Sequence, residues 1–120
     1  MIYTASSLAL SALEILANLT TELPEDYVAV SVEIPDGLSI KTLPESELPP
    51  NWWTNPRPAE TQNIGTAWVR ERQTAVLSVP SAVIRQERNY ILNPAHPDFR
   101  RIAFGDSEAF LWDDRLRVGR

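Results

Sequence analysis

The chain has 120 residues, enough for one domain with a single buried core, and its 43% apolar and 22% charged residues place it among globular chains rather than disordered ones. It has no cysteine, which excludes a disulfide framework, a thiol nucleophile and a thiolate metal site. A net charge of −5 makes it a poor nonspecific ligand for nucleic acid, so no direct nucleic-acid binding is expected.

Met1-Ile2-Tyr3-Thr4 reads as a short strand. Ser6 or Ser7 can cap a helix directly after it, in which Leu8, Ala12, Ile15, Leu16 and Leu19 share one face at 3.6-residue periodicity. Leu10, Leu13 and Ala17 extend the apolar surface, so this helix is predicted to be buried on more than one side and to stop at Pro24. This first stretch is neither a transmembrane span nor a secretory signal: no basic region precedes it, polar residues interrupt it and Glu14 lies within it. The cytoplasm is the default compartment and no membrane partner is expected.

Tyr27 to Ile34 alternates and is β-branched, which predicts a strand. Pro35-Asp36-Gly37 is a turn, from which Leu38 to Thr42 can pair back as a hairpin. Leu43 to Pro58 holds five prolines and the pair Trp52-Trp53, a composition that resists regular structure. Thr61 can cap a second helix reaching about Arg72, with Ile64 and Trp68 at i, i+4 and Gly65 as a weak point. Thr74 to Val79 and Tyr90 to Leu92 read as strands. Arg101 to Phe104 and Ala109 to Trp112 look like a terminal hairpin around Gly105-Asp106. The sum is one α+β domain over residues 1–120, with about two helices packed on a twisted, mostly antiparallel sheet of five or six short strands.

Glu14 is the only charged side chain in residues 1–21, and Ser7, Ser11 and Asn18 share its helix face. From periodicity alone a polar stripe facing water is the commoner arrangement. The alternative is a carboxylate set in a cleft, where it binds a sugar or stabilises positive charge. Ser81 follows an apolar strand, where site residues collect, although a turn or cap serine is the plainer reading. His96 with Asp98 makes a weak metal set, so no metal is expected. Trp52-Trp53 could stack a ring, but filling space under a proline-rich loop is the more ordinary role. Four glycines, none in P-loop or Rossmann spacing, exclude those two modes of phosphate binding. Without Gly-x-Ser-x-Gly, a Ser-His-Asp hydrolase has little support. The charge is uneven: Lys41 is the only basic residue before Arg57, and residues 85–120 hold seven arginines.

The order of these segments resembles the RES domain, the toxin of RES–Xre toxin–antitoxin pairs. Ile2-Tyr3-Thr4-Ala5, Leu13-Glu14, Trp52 and Trp68 follow its pattern, and the run VPSAVIRQERNYILNPAHPDF from Val79 to Phe99 is its specific part. The resemblance implies an ADP-ribosyltransferase-like fold. It also implies a toxin that degrades NAD by breaking the nicotinamide–ribose bond, with phosphate or water as acceptor. NAD would be substrate and not cofactor, and an Xre-type antitoxin would block the site. By position, the family's glutamate matches Glu14, its serine Ser81 and its site tyrosine Tyr3. The resemblance would have Glu14 stabilise an oxocarbenium-like state, Ser81 hold the nicotinamide ribose or amide, and Tyr3 bind the nicotinamide side.

In the family a segment with the site arginine and a GGRWN-like stretch precedes the tyrosine strand. Here no arginine precedes Arg57. Relative to the family the chain therefore reads as N-terminally truncated, and little NAD turnover is expected from these residues alone. An inactive truncated module that only binds an antitoxin, or one that has decayed, is the alternative. An unpaired strand edge near Tyr3, inviting a homo-oligomer, is also expected.

Overall fold

The computed structural model describes residues 1–20 and 22–117. At its centre is the apolar run that ends at Pro80. Val76–Pro80 (β5) carries Val76, Leu77 and Ser78 with almost no exposed surface, as a strand covered on both faces must. Arg88–Leu92 (β6) pairs with it antiparallel, Val76 opposite Leu92 and Leu77 opposite Ile91. Ile2–Ala5 (β1) adds antiparallel to the far side of β6, with Tyr3 opposite Ile91. Ile40–Thr42 (β4) adds parallel to β5, giving the order β1-β6-β5-β4.

The period-2 alternation of these strands divides the core. On one face Val76 and Leu92 pack with Leu38, Ala75 and Ile102. On the other, Leu77 and Ile91 pack with Leu43 and with Trp68 from the helix Ala59–Glu71 (α2). Each such side chain, fully buried, contributes about 1.5–3 kcal/mol. The buried Trp68 indole donates to Thr74 Oγ1 (2.9 Å), and Thr74 donates onward to the Val76 carbonyl (2.9 Å), so no polar atom of this pair is left unpaired.

The helix Leu8–Asn18 (α1) follows β1, and Ser7 caps it by accepting from the Leu10 N–H at 3.1 Å. Its burial is one-sided, unlike the sequence expectation. Leu10 is 1% exposed, whereas Leu8 and Leu13 are 57% and 41% exposed. The inward face centres on Leu10 and Glu14, not on Leu8. The helix also stops well before Pro24: Leu19 is already extended, and Asn18 donates its side-chain amide to the Glu14 carbonyl at the last turn.

Four further expectations are corrected. The segment after Gly37 does not fold back as a hairpin on Tyr27–Ile34; β4 joins the main sheet in parallel, where it lies beside the apolar β5. The segment predicted as one strand at 27–34 forms two short pieces, Val28–Ala29 (β2) and Val32–Glu33 (β3). They pair antiparallel with Glu108–Ala109 (β8) and Ala103–Phe104 (β7) respectively, so the terminal segments pair with this ribbon and not with each other. Between the pairs Ala29–Glu108 and Val32–Phe104, three residues stand opposite two, which is a bulge. Gly105 sits in it because its N–H donates to the Ser31 carbonyl (2.8 Å) and a Cβ there would stand 2.3 Å from Ser31 Oγ. Finally, α2 begins at Ala59 with Pro58 as its N-cap, so Thr61 lies inside the first turn instead of capping it. No helix among the described residues is long and apolar enough to cross a membrane.

Candidate functional site

Glu14 faces the protein, not water. Its Oε1 accepts from the Ser81 hydroxyl at 2.7 Å and from the Asn89 side-chain amide at 2.9 Å. The helix fixes one partner, the end of β5 the second and the start of β6 the third. Of the polar stripe read from the sequence, Ser7 and Asn18 are exposed, while Ser11, Glu14 and Asn18 line a cavity of about 420 Å³ together with Tyr3, Arg57 and Asn89. A half-buried carboxylate held by two donors keeps its position with little loss on ligand binding.

Ser81 is 0% exposed and its hydroxyl is fully engaged. It donates to Glu14 and accepts the N–H groups of Val83 and Ile84, each at 3.1 Å, while its own N–H donates to the Glu87 carbonyl at 2.8 Å. It is thus both the turn serine and the partner of Glu14. Its hydroxyl is taken up by these three partners, and Ser81 is in the wall of neither this cavity nor the one beside it.

Tyr3 is 63% exposed on β1 and forms wall in two neighbouring cavities. The second, of about 370 Å³, lies between the Leu77–Ile91 face of the sheet and α2, with buried Trp52, half-buried Leu48 and Gly65 also in its wall. Tyr3, Arg57 and Asn89 belong to both cavities, so the two form adjoining parts of one cleft. Its volume falls in the range of ligand sites.

Two of these residues had no role in the sequence reading. Asn89 did carry a signal: alternation places it on the apolar face shared by Leu77 and Ile91, where a polar side chain needs a reason. Arg57 carried none, since it lies in the proline-rich connection without periodicity. Other candidates have structural roles. His96 Nδ1 accepts the Asp98 N–H at 3.0 Å and caps a short 3-10 turn, Pro97–Arg101. Trp53 carries the Arg85 guanidinium over its ring at 3.9 Å, a cation–π contact. Arg88 is held by the Ser78 hydroxyl and carbonyl and by the Leu43 carbonyl. No group of three or more His, Asp or Glu that could hold a metal occurs among the described residues.

Residues 1–113 match the RES domain. The chain belongs to the RES family. Among its relatives, the Prs ADP-ribosylating toxin of Sphingobium sp. (strain YBL2) is 34% identical over 119 residues, covering 97% of this chain and 74% of that protein. A Toxin Res of Yersinia enterocolitica serotype O:8 is 34% identical over 118 residues, with 97% and 77% covered. A Toxin Res of Pseudomonas putida is 32% identical over 120 residues, with 97% and 79% covered. The RES-family region thus contains Glu14, its buried partner Ser81 and the cleft that Glu14 borders.

Proposed function

We propose that this RES-family chain degrades NAD by cleaving the bond between nicotinamide and ribose, within the cytoplasm, and that an Xre-type antitoxin neutralises it. The observation that carries the reading is the Glu14 carboxylate, fixed by Ser81 and Asn89 in the wall of a cleft that also holds Tyr3. The name of the Sphingobium relative supports it, because ADP-ribosylation breaks the same bond.

The C1′–N bond breaks with its electron pair leaving on nicotinamide, and positive charge develops on the ribose ring. Glu14 stabilises that charge, as a carboxylate does in glycoside hydrolysis. Phosphate or water then adds to C1′. Water gives ADP-ribose and a proton; phosphate gives the phosphorylated ADP-ribose. Ser81 acts as a positioning residue, because its hydroxyl points Glu14 into place and is itself buried. Tyr3 supplies an aromatic wall for the nicotinamide ring.

The test is to incubate the purified protein with NAD at comparable concentrations, so that a single slow turnover registers, and to follow both products by mass. Release of nicotinamide with ADP-ribose, or with its phosphorylated form when phosphate is added, is expected. NAD recovered intact would overturn the reading. Addition of an Xre-type antitoxin should stop the release.

A further inference from the structure

We propose that Arg57 is the anion-binding residue of the cleft and takes the pyrophosphate of the dinucleotide. This deepens the NAD reading and rests on it for the ligand's identity. Among the described residues Arg57 is the only arginine or lysine in the walls of either cavity, and it belongs to both. It is exposed, and among the described residues it has no hydrogen bond or ion pair. Other arginines are committed elsewhere: Arg88 to Ser78 and Leu43, Arg115 to Asp113, Arg117 to the Leu23 carbonyl and Arg85 to Trp53.

The backbone that carries Arg57 is constrained. Pro56 precedes it and Pro58 follows it, so the first fixes its own φ and the second keeps Arg57 extended. Thr54 ties the same segment by donating its hydroxyl to the Asn51 and Pro56 carbonyls, at 2.9 and 3.2 Å. Pro58 then starts α2. A free guanidinium on a stiff backbone loses less entropy on binding than one on a mobile loop. Its planar fork matches phosphate oxygens in a bidentate manner.

The cleft also has the polarity of the ligand. Glu14 and Arg57 wall the same cavity, one anionic and one cationic. NAD carries a cationic nicotinamide ring and an anionic pyrophosphate, separated by one ribose. With the nicotinamide ribose at Glu14, the pyrophosphate falls to the cation of the same cavity.

Calorimetric titration of the intact protein with ADP-ribose, inorganic pyrophosphate and nicotinamide riboside, at several salt concentrations, tests this. Arg57→Ala should weaken ADP-ribose and pyrophosphate by roughly tenfold or more, as expected for loss of a charged donor to phosphate. It should also flatten their salt dependence and leave nicotinamide riboside within about twofold of the wild type. Arg57→Lys should retain part of the affinity, since the charge stays and the fork is lost. Failure of the wild type to bind either anion would overturn the proposal. So would an Arg57→Ala variant that binds them unchanged, or one that loses the riboside equally. Arg57-dependent anion binding in a protein that never releases nicotinamide would instead sink the catalytic reading and leave the anion site standing.

Discussion

The Ser81 hydroxyl donates to Glu14 Oε1 across 2.7 Å, joining side chains 67 positions apart in the chain. The same oxygen of Ser81 accepts two backbone N–H groups, from Val83 and Ile84. One buried atom therefore closes the loop after β5 and aims the carboxylate of α1. Ser81→Ala removes the Glu14 contact and leaves two backbone donors without an acceptor. Urea denaturation should show a loss of about 1–3 kcal/mol. Nicotinamide release by the folded fraction should fall too, since a misaligned carboxylate meets the developing charge less well.

Gly65 separates the cavity from the stability of the helix. A Cβ built there meets nothing within 4 Å, and the residue lies in the wall of the 370 Å³ cavity. Gly65→Ala should stabilise α2 by about 0.5–1 kcal/mol, seen as a higher denaturation midpoint. Gly65→Leu should remain folded, project into the cavity and weaken dinucleotide binding in the titration that tests Arg57.

Trp68 joins α2 to the sheet. It is buried against Leu43, Leu77 and Ile91 and its N–H is bonded to Thr74. Trp68→Ala should cost about 3–5 kcal/mol by the same urea measurement, from lost burial and the void left behind.

The edge of the sheet makes a separate prediction. Among the described residues β1 is the outer strand of the order β1-β6-β5-β4, and Tyr3 on it and Met1 just before it are exposed. An open edge of this kind pairs readily with another strand. Sedimentation over a range of concentrations should show self-association, and a monomer at all concentrations would count against a homo-oligomer through this edge.

Much of this architecture was readable from local pattern. The strands at 2–5, 76–80 and 88–92 show period-2 alternation or a covered apolar run, and Ser7 marks the start of α1 by its capping chemistry. Strand pairing was not readable in this way. β4 and the β7–β8 segments are two or three residues long, too short for an alternation pattern to specify a partner, and the partner is chosen by what lies across the sheet. The start of α2 is not where the Ser/Thr signal at Thr61 puts it: the helix begins at Ala59, directly after Pro58, whose missing N–H costs no helical bond at that position.

The same division runs through the site. Glu14 stands out as a lone charge on an apolar helix and Ser81 as a polar residue after a buried strand, so each was visible by itself. Their contact was not, because it depends on how the end of β5 approaches α1. Asn89 shows only once β6 has a face. Arg57 shows only once the proline-rich connection has been placed beside Tyr3 and Asn89.

Nicotinamide release from NAD by Glu14→Gln, beside the wild-type protein under identical single-turnover conditions, tests the central claim most directly. A glutamine oxygen at the Oε1 position can still accept from Ser81 and Asn89, so the fold and its denaturation midpoint should stay close to wild type. The charge is gone, and the rate should fall by about 10²–10³. A Glu14→Gln protein that releases nicotinamide as fast as the wild type would contradict the role given to Glu14 and with it the account of the site.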